Sequence, residues 1–446
     1  MRSVAFLFNR KALVILTCES SFLLNKKDVP QDAQLAELYL IATQYRSRAE
    51  IAQTRNLLLL YRRMYMKFLH LSDLHLGKRV HNFPMIEEQK YILNQILDIA
   101  DDEKITSVII AGDVYDKPVP PAEAVALFDD FLVKLAERKL QVFVISGNHD
   151  SAERIAFGEK LMRQSNVYLS PVYNGDIKPV TLEDAFGKIN IFLLPFIKPL
   201  HVRHFNEDAL VTDYTEAMRY VISRMNPDAN ERNVLVCHQF VTGAARCESE
   251  EISVGGLDNV DASVFEPFDY VALGHIHGPQ NIGSEKVRYC GTPLKYSFSE
   301  ADHKKSVTIA ELREKGELIL KEIPLKPFHD LVKIKGSFEE LTDKAFYGKM
   351  DTESYVHITL LEEQDIPNAF GKLATIYPNL MLLRYENKRT SGENEQPLES
   401  ENIHMSPETL FSQFYETMNH QPMTKEQETY MLEKIGKIWG IENETC

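Results

Sequence analysis

Cysteine is scarce in this 446-residue chain: Cys18, Cys237, Cys247, Cys290 and Cys446 are the only five, and no two form a C-x-x-C pair. An odd, scattered set excludes a disulfide framework and a zinc-thiolate site, and it fits a reducing compartment such as the cytoplasm. Cys237 and Cys290 end strand-like runs, which predicts that both are buried. Long apolar runs are also lacking. The stretch 12–16 is too short to span a bilayer, and Asn9, Arg10 and Lys11 cut it off from 4–8. No clean small-residue cleavage site follows, which argues against a secretory signal. There is no G-x-x-x-x-G-K-[ST] loop, so the chain is not expected to hydrolyse ATP itself. Positive charge is in deficit, with a net charge of -15. That balance argues against stand-alone, sequence-independent binding to nucleic acid. It does not exclude such a substrate, because bound divalent cations cancel carboxylates locally and a partner protein can carry phosphate contacts.

What the chain does have is five short polar strings in one order: Asp73-Leu-His75, Gly112-Asp113-Val-Tyr-Asp116, Gly147-Asn148-His149-Asp150, Cys237-His238-Gln239 and Gly274-His275-Ile-His277. Each follows an apolar, β-branched run, at 68–71, 108–111, 142–145, 234–236 and 270–273. Such a run reads as a buried strand ending in a polar loop. Strand ends of one sheet can bring residues from distant parts of a sequence to one point.

The residue types fit two-metal phosphoester hydrolysis. That reaction needs a hydroxide at neutral pH, neutralised phosphoryl oxygens and a stabilised leaving group, and two divalent ions roughly 3.5–4 Å apart can supply much of this. Ions of this kind prefer imidazole and carboxylate or amide oxygen to thiolate. We assign Asp73, His75 and His277 to one ion and Asn148, His238 and His275 to the other, with Asp113 bridging. His149 is left over, as suits a general acid or transition-state stabiliser, and Asp150 is placed to orient its ring.

The length suits two or three domains, and 44% hydrophobic with 26% charged residues is ordinary for a globular protein. Helical spacing at 86–100 and 122–135 gives strand and helix alternation, an α/β pattern. The later strands, at 189–194, 287–290, 306–312 and 318–323, predict a second sheet packed on the first. The catalytic domain is thus expected over 66–325, a small α+β cap over 326–386, a polar linker over 387–405 and a helical hairpin over 406–446. In the hairpin, Ser406 and Pro407 open a helix with Leu410, Phe411, Phe414, Tyr415 and Met418 on one face. Thr424 with Gln427 matches a capping box, and Met431, Ile435, Ile438 and Trp439 continue a second face. The hairpin either folds back on the core or docks on another protein's helices. Residues 1–65 read as an extension ahead of Met66 with no part in the chemistry, and 31–64 as a basic helix.

The stretches MKFLHLSDLHLGKRVH, IIAGDVYDKPVPPAEAV, ISGNHDSAER, SVGGLDNVD, FDYVALGHIHGPQ and RYCGTPLKYSFSE resemble the calcineurin-like metallophosphoesterase superfamily and, within it, the SbcD branch of nuclease subunits. The likeness is close from 66 to 325, looser in the cap and tail, and absent from 1–65. Gly-Gly-Leu-Asp at 255–258 and Lys-Tyr-Ser-Phe-Ser at 295–299 make it specific to that branch. The resemblance implies a two-sheet α/β sandwich flanked by helices and a manganese-dependent nuclease on double-stranded DNA. It implies 3'-5' exonuclease action on duplex ends, endonuclease action at hairpins, and a place in DNA repair, recombination and replication. It implies also a dimer joined to two copies of the SbcC ATPase. The branch's ligands map onto Asp73, His75, Asp113, Asn148, His238, His275 and His277, and its catalytic histidine onto His149. Asp116 stands where archaeal and eukaryotic relatives carry a second histidine, which gives it a supporting part. A small-molecule phosphoesterase of the same superfamily is the alternative.

Overall fold

The computed structural model describes residues 65–206, 211–247, 259–386, 407–419 and 421–439, together with three N-terminal strands. Those strands, Ala5–Asn9, Ala12–Leu16 and Ser21–Asn25, form an antiparallel meander. The expected helix over 31–64, the linker and the Gly-Gly-Leu-Asp stretch lie outside the described residues.

Two six-stranded sheets form the main body. In chain order the strands are β1 (Met66–Leu71), β2 (Ser107–Ala111), β3 (Gln141–Ile145), β4 (Val167–Leu169), β5 (Val180–Asp184), β6 (Gly187–Leu193), β7 (Arg232–His238), β8 (Tyr270–Gly274), β9 (Gln280–Ile282), β10 (Ser284–Tyr289), β11 (Ser306–Leu312) and β12 (Leu318–Pro324). The first sheet runs β12-β11-β1-β2-β3-β4 and the second β5-β6-β7-β8-β10-β9. Strands β1 to β4 are parallel to one another, as are β6, β7, β8 and β10.

In the central strands β2, β3, β7 and β8 the apolar runs are nearly unbroken because both faces are buried. In the first sheet Leu69, Leu71, Val108, Ile110, Val142 and Val144 face helices α1 (Ile86–Asp102) and α2 (Ala122–Glu137). Their neighbours Phe68, Ile109, Phe143 and Ile145 face Ile191, Val234, Val236 and Tyr270 of the second sheet. Leu235, Cys237, Val271 and Leu273 point the other way, toward α3 (Tyr214–Met225), which presents Met218, Val221 and Ile222. The result is a helix, sheet, sheet, helix stack, and Cys237 and Cys290 are both buried in it. One assignment is corrected. Strands β11 and β12 do not join the second sheet; β11 pairs antiparallel with β1, Thr308 opposite His70, and extends the first.

Beyond the sandwich, β13 (Leu331–Gly336), β14 (Tyr355–Leu360) and β15 (Leu380–Tyr385) make a parallel three-stranded sheet with its own core around Leu341, Ile358, Leu373 and Tyr377. Buried Glu88 of α1 ties it to the sandwich, taking His329 Nδ1 at 2.6 Å and the Tyr355 hydroxyl at 3.4 Å. At the C-terminal end, α4 (Pro407–Asn419) and α5 (Lys425–Trp439) form the hairpin. Its capping box is reciprocal: Thr424 N–H donates to Gln427 Oε1 at 2.9 Å and Gln427 N–H to Thr424 Oγ1 at 3.3 Å. Among the described residues no helix is long and apolar enough to cross a membrane.

Candidate metal centre

All five strings meet at the C-terminal ends of the central strands. The contributions come from both sheets, where strand ends of a single sheet were the expectation. Asp73, His75, Asp113 and Asn148 follow strands of the first, whereas His238, His275 and His277 end or follow strands of the second.

Around the first position, Asp73, His75 and His277 bring one ligand atom each within 4.8 Å of the others, and all three are buried. His75 Nε2 and His277 Nε2 lie 3.3 Å apart. Around the second, Asn148 Oδ1 is 3.0 Å from His238 Nε2 and 3.1 Å from His275 Nδ1. Asp113 stands between: its Oδ2 is 3.3 Å from His238 Nε2 and 3.8 Å from His75 Nε2. Its other oxygen accepts the backbone N–H of His149 at 2.9 Å.

The local backbone is built for this convergence. Asp73, His75, Asp113 and His275 all have positive φ, 52°, 45°, 49° and 105°. A non-glycine residue held there costs on the order of 1–3 kcal/mol, and such residues cluster at functional sites. Two glycines provide the clearance. A Cβ on Gly147 would overlap the Asp113 carboxylate, and one on Gly274 would overlap the Ala111 carbonyl, which accepts His238 Nδ1–H at 2.8 Å. That bond leaves His238 Nε2 to face the site.

The donor set suits divalent ions. Nitrogen and oxygen atoms converge at both positions, Cys247 Sγ comes within 4.8 Å of ligand atoms of His277 and Glu300 at the edge of the first, and among the described residues the buried Nδ1 of His75 has no hydrogen-bond partner. Charge is drawn inward too. Burial opposes a charge on His238, but Asp113 outweighs it and raises the imidazole to about 9. His277 behaves likewise: burial lowers it, while hydrogen bonds with Cys247 and Glu300 lift it to about 10. His275 falls to about 3, through burial and then the charge of His238. Burial raises Asp73 to about 6. Divalent ions held there would compete with protons for His238 and His277.

His149 sits at the rim, partly exposed, with Nδ1 3.1 Å from the Asp116 carbonyl oxygen and Nε2 4.0 Å from Asp113 Oδ2. Asp150 does not orient its ring. The Asp150 carboxylate accepts the backbone N–H groups of Val114, Tyr115 and Gly147 at 3.0, 2.9 and 2.9 Å. It therefore shapes the two loops that carry Asp113 and Asn148. Asp116 ion-pairs with Lys78 at 2.7 Å and lies 3.9 Å from His75 Nδ1, which places it beside the donors.

With this geometry in place, comparisons with known proteins fix the family. A calcineurin-like phosphoesterase family matches residues 66–279, and the type 5 capsule protein repressor C-terminal domain family matches 327–419. The SbcD component of the SbcCD nuclease from Staphylococcus saprophyticus is 32% identical over 380 residues, covering 84% of this chain and 97% of its own length. The chain belongs to the SbcD nuclease family. The Staphylococcus epidermidis member is 30% identical over 366 residues, 81% of this chain and 96% of its own. A solved dimetal phosphatase from Danio rerio aligns over 58% of this chain and 96% of its own, at 12% identity and a TM-score of 0.35. As a member of the SbcD family, the chain is a metal-dependent phosphoesterase.

Two contacts in this centre were missed in reading the residues one string at a time. Glu300 Oε1 accepts His277 Nδ1–H at 3.0 Å, and the Tyr296 hydroxyl donates to the carbonyl of Leu74, next to His75, at 2.5 Å. Both residues belong to the RYCGTPLKYSFSE stretch, so the signal was present without a role attached.

Proposed function

We propose that this chain is the nuclease component of an SbcCD-type complex, cutting phosphodiester bonds of double-stranded DNA as a 3'-5' exonuclease on ends and an endonuclease at hairpins. The observation that carries the reading is the convergence of seven nitrogen and oxygen donors from two sheets, with His149 beside them and outside the set. Two divalent ions, Mn2+ in our reading, supply electrophilic stabilisation of the phosphoryl oxygens and an activated water when bound. Asp73, His75 and His277 would hold the first and Asn148, His238 and His275 the second, with Asp113 placed between the two groups. With Nδ1–H on the Asp116 carbonyl, His149 in its imidazolium form would give its Nε2 proton to the leaving oxygen and be left as the neutral Nδ1–H tautomer. Asp150 fixes the loops on which Asp113 and Asn148 stand.

Purified protein incubated with Mn2+ is expected to shorten a blunt duplex from its ends and to leave a small phosphoester such as p-nitrophenyl phosphate nearly intact. Rapid turnover of the small ester with an untouched duplex would favour the phosphatase alternative. The assay is run with and without the ATPase partner, because a chain of net charge -15 gains from a partner that carries phosphate contacts.

The assembly we propose is two copies of this chain with two of the SbcC ATPase, in the reducing cytoplasm. Partner docking falls to the hairpin, where Phe414 is 60% and Met418 62% exposed and the Phe411 and Phe414 rings lie 6.3 Å apart. Leaving that apolar face in water is costly, and burying an unpaired carboxylate in a contact is costlier. The double variant Phe411→Glu, Phe414→Glu should therefore stop co-purification with the ATPase while the isolated chain melts as before. A complex that stays intact at a mass of two copies of each chain would remove the hairpin from the interface.

A further inference from the structure

The run 295–299 marks the branch and Glu300 directly follows it, yet none of the strings that carry the chemistry includes either. In the fold it closes on the first metal position from behind. Tyr296 donates its hydroxyl to the Leu74 carbonyl and receives Gln89 Nε2 at 3.0 Å, while Gln89 also reaches the His75 carbonyl at 2.8 Å. The Tyr296 ring stands edge-on to the His75 ring, centroids 5.7 Å apart. Ser297 then caps a single 3₁₀ turn, Phe298–Glu300, that delivers Glu300 to His277.

Glu300 divides its two oxygens. Oε1 accepts His277 Nδ1–H at 3.0 Å, and Oε2 takes Lys305 Nζ at 2.6 Å. The same ammonium donates to the His277 carbonyl at 3.0 Å and to Thr292 Oγ1 at 2.6 Å. Glu300 is 0% and Lys305 5% exposed. A buried ion pair of this sort is a poor way to gain stability, since desolvation offsets most of the attraction. A pair kept only to neutralise two charges would also have no reason to grip both the ring and the backbone of one histidine.

We infer that Glu300, backed by Lys305, is a positioning residue that fixes His277 with Nδ1–H on the carboxylate and Nε2 turned to the first metal position. Partners of this kind set the tautomer, ring orientation and basicity of metal-binding histidines, and losing them weakens metal binding by about 10–100-fold. The inference rests on the two-metal reading above, and its test reads metal binding, independent of DNA cutting.

The test is Mn2+ titration of the full chain, with free Mn2+ followed by electron paramagnetic resonance. Two variants are compared with the wild type. Glu300→Gln with Lys305→Met removes both charges together, so no lone ammonium is left buried. Glu300→Asp keeps a carboxylate for Lys305 but draws it away from His277, and guards against the first variant failing to fold. In each, one of the two Mn2+ binding steps should weaken by about 10–100-fold and the other should hold. The Co2+-loaded variants should show an altered visible absorption band from the same step. Folded variants that keep both wild-type affinities would overturn the inference and leave the pair a packing feature. Wild-type protein that binds two Mn2+ but leaves duplex DNA whole would overturn the nuclease reading alone.

Discussion

Replacing His149 with alanine should lower duplex cleavage by roughly 10²–10⁴-fold while both Mn2+ binding steps stay at wild-type affinity, as befits a positioned acid or base. The geometry supplies a real competitor. His149 also lies within 4.8 Å of His75 and Asp116 as a possible third donor set. Its Nδ1, however, is taken by the Asp116 carbonyl, and Asp116 itself is paired with Lys78. His149 is also partly exposed, whereas Asp73, His75, His238 and His277 are buried. Elemental analysis of the alanine variant decides the matter: a missing ion would make His149 a ligand and transfer the proton-transfer role elsewhere.

Asp113→Asn is expected to weaken both Mn2+ binding steps, at least about tenfold each, because the charge it removes is the one shared between the two positions. The asparagine keeps the shape and still accepts the His149 backbone N–H, so the loop should hold its conformation. His277→Ala is the contrast, since His277 touches only the first group and should cost mainly one step. Calorimetric titration of the two variants side by side gives the comparison. Loss of a single step in Asp113→Asn would place the carboxylate on one ion and refute the bridge.

Much of this centre could be read from the residues because burial on both faces leaves strands as uninterrupted apolar runs, and a polar string after such a run is conspicuous. Phe68 and Leu69 point to opposite layers, yet both are apolar, so neither breaks the signal. The same property hid the sheet to which β11 and β12 belong. β11, buried on two sides, looks alike in either sheet, β12 follows it as an edge strand, and Thr308 carries no sign of pairing with His70. Asp150 misled for a different reason: adjacency to His149 says nothing of side-chain direction, and the turn aims its carboxylate at three backbone N–H groups. The positive φ values at Asp73, His75, Asp113 and His275 had no sequence signature, since none is glycine or asparagine. Thr424 and Gln427 are the opposite case, because a capping box depends on local spacing alone and local spacing is what a sequence displays.

The division of donors between the two sheets also governs when the chain becomes dangerous to DNA. No stretch shorter than 73–277 contains the full set, and the strand that flanks β1, residues 306–312, is made later still. During synthesis, an N-terminal half carrying Asp73, His75, Asp113, Asn148 and His149 would hold the proposed general acid but only part of each proposed ligand set. On the proposed reading, a copy ending before 232 would lack donors for both positions, so complete ion sites would form only as the two sheets close on each other.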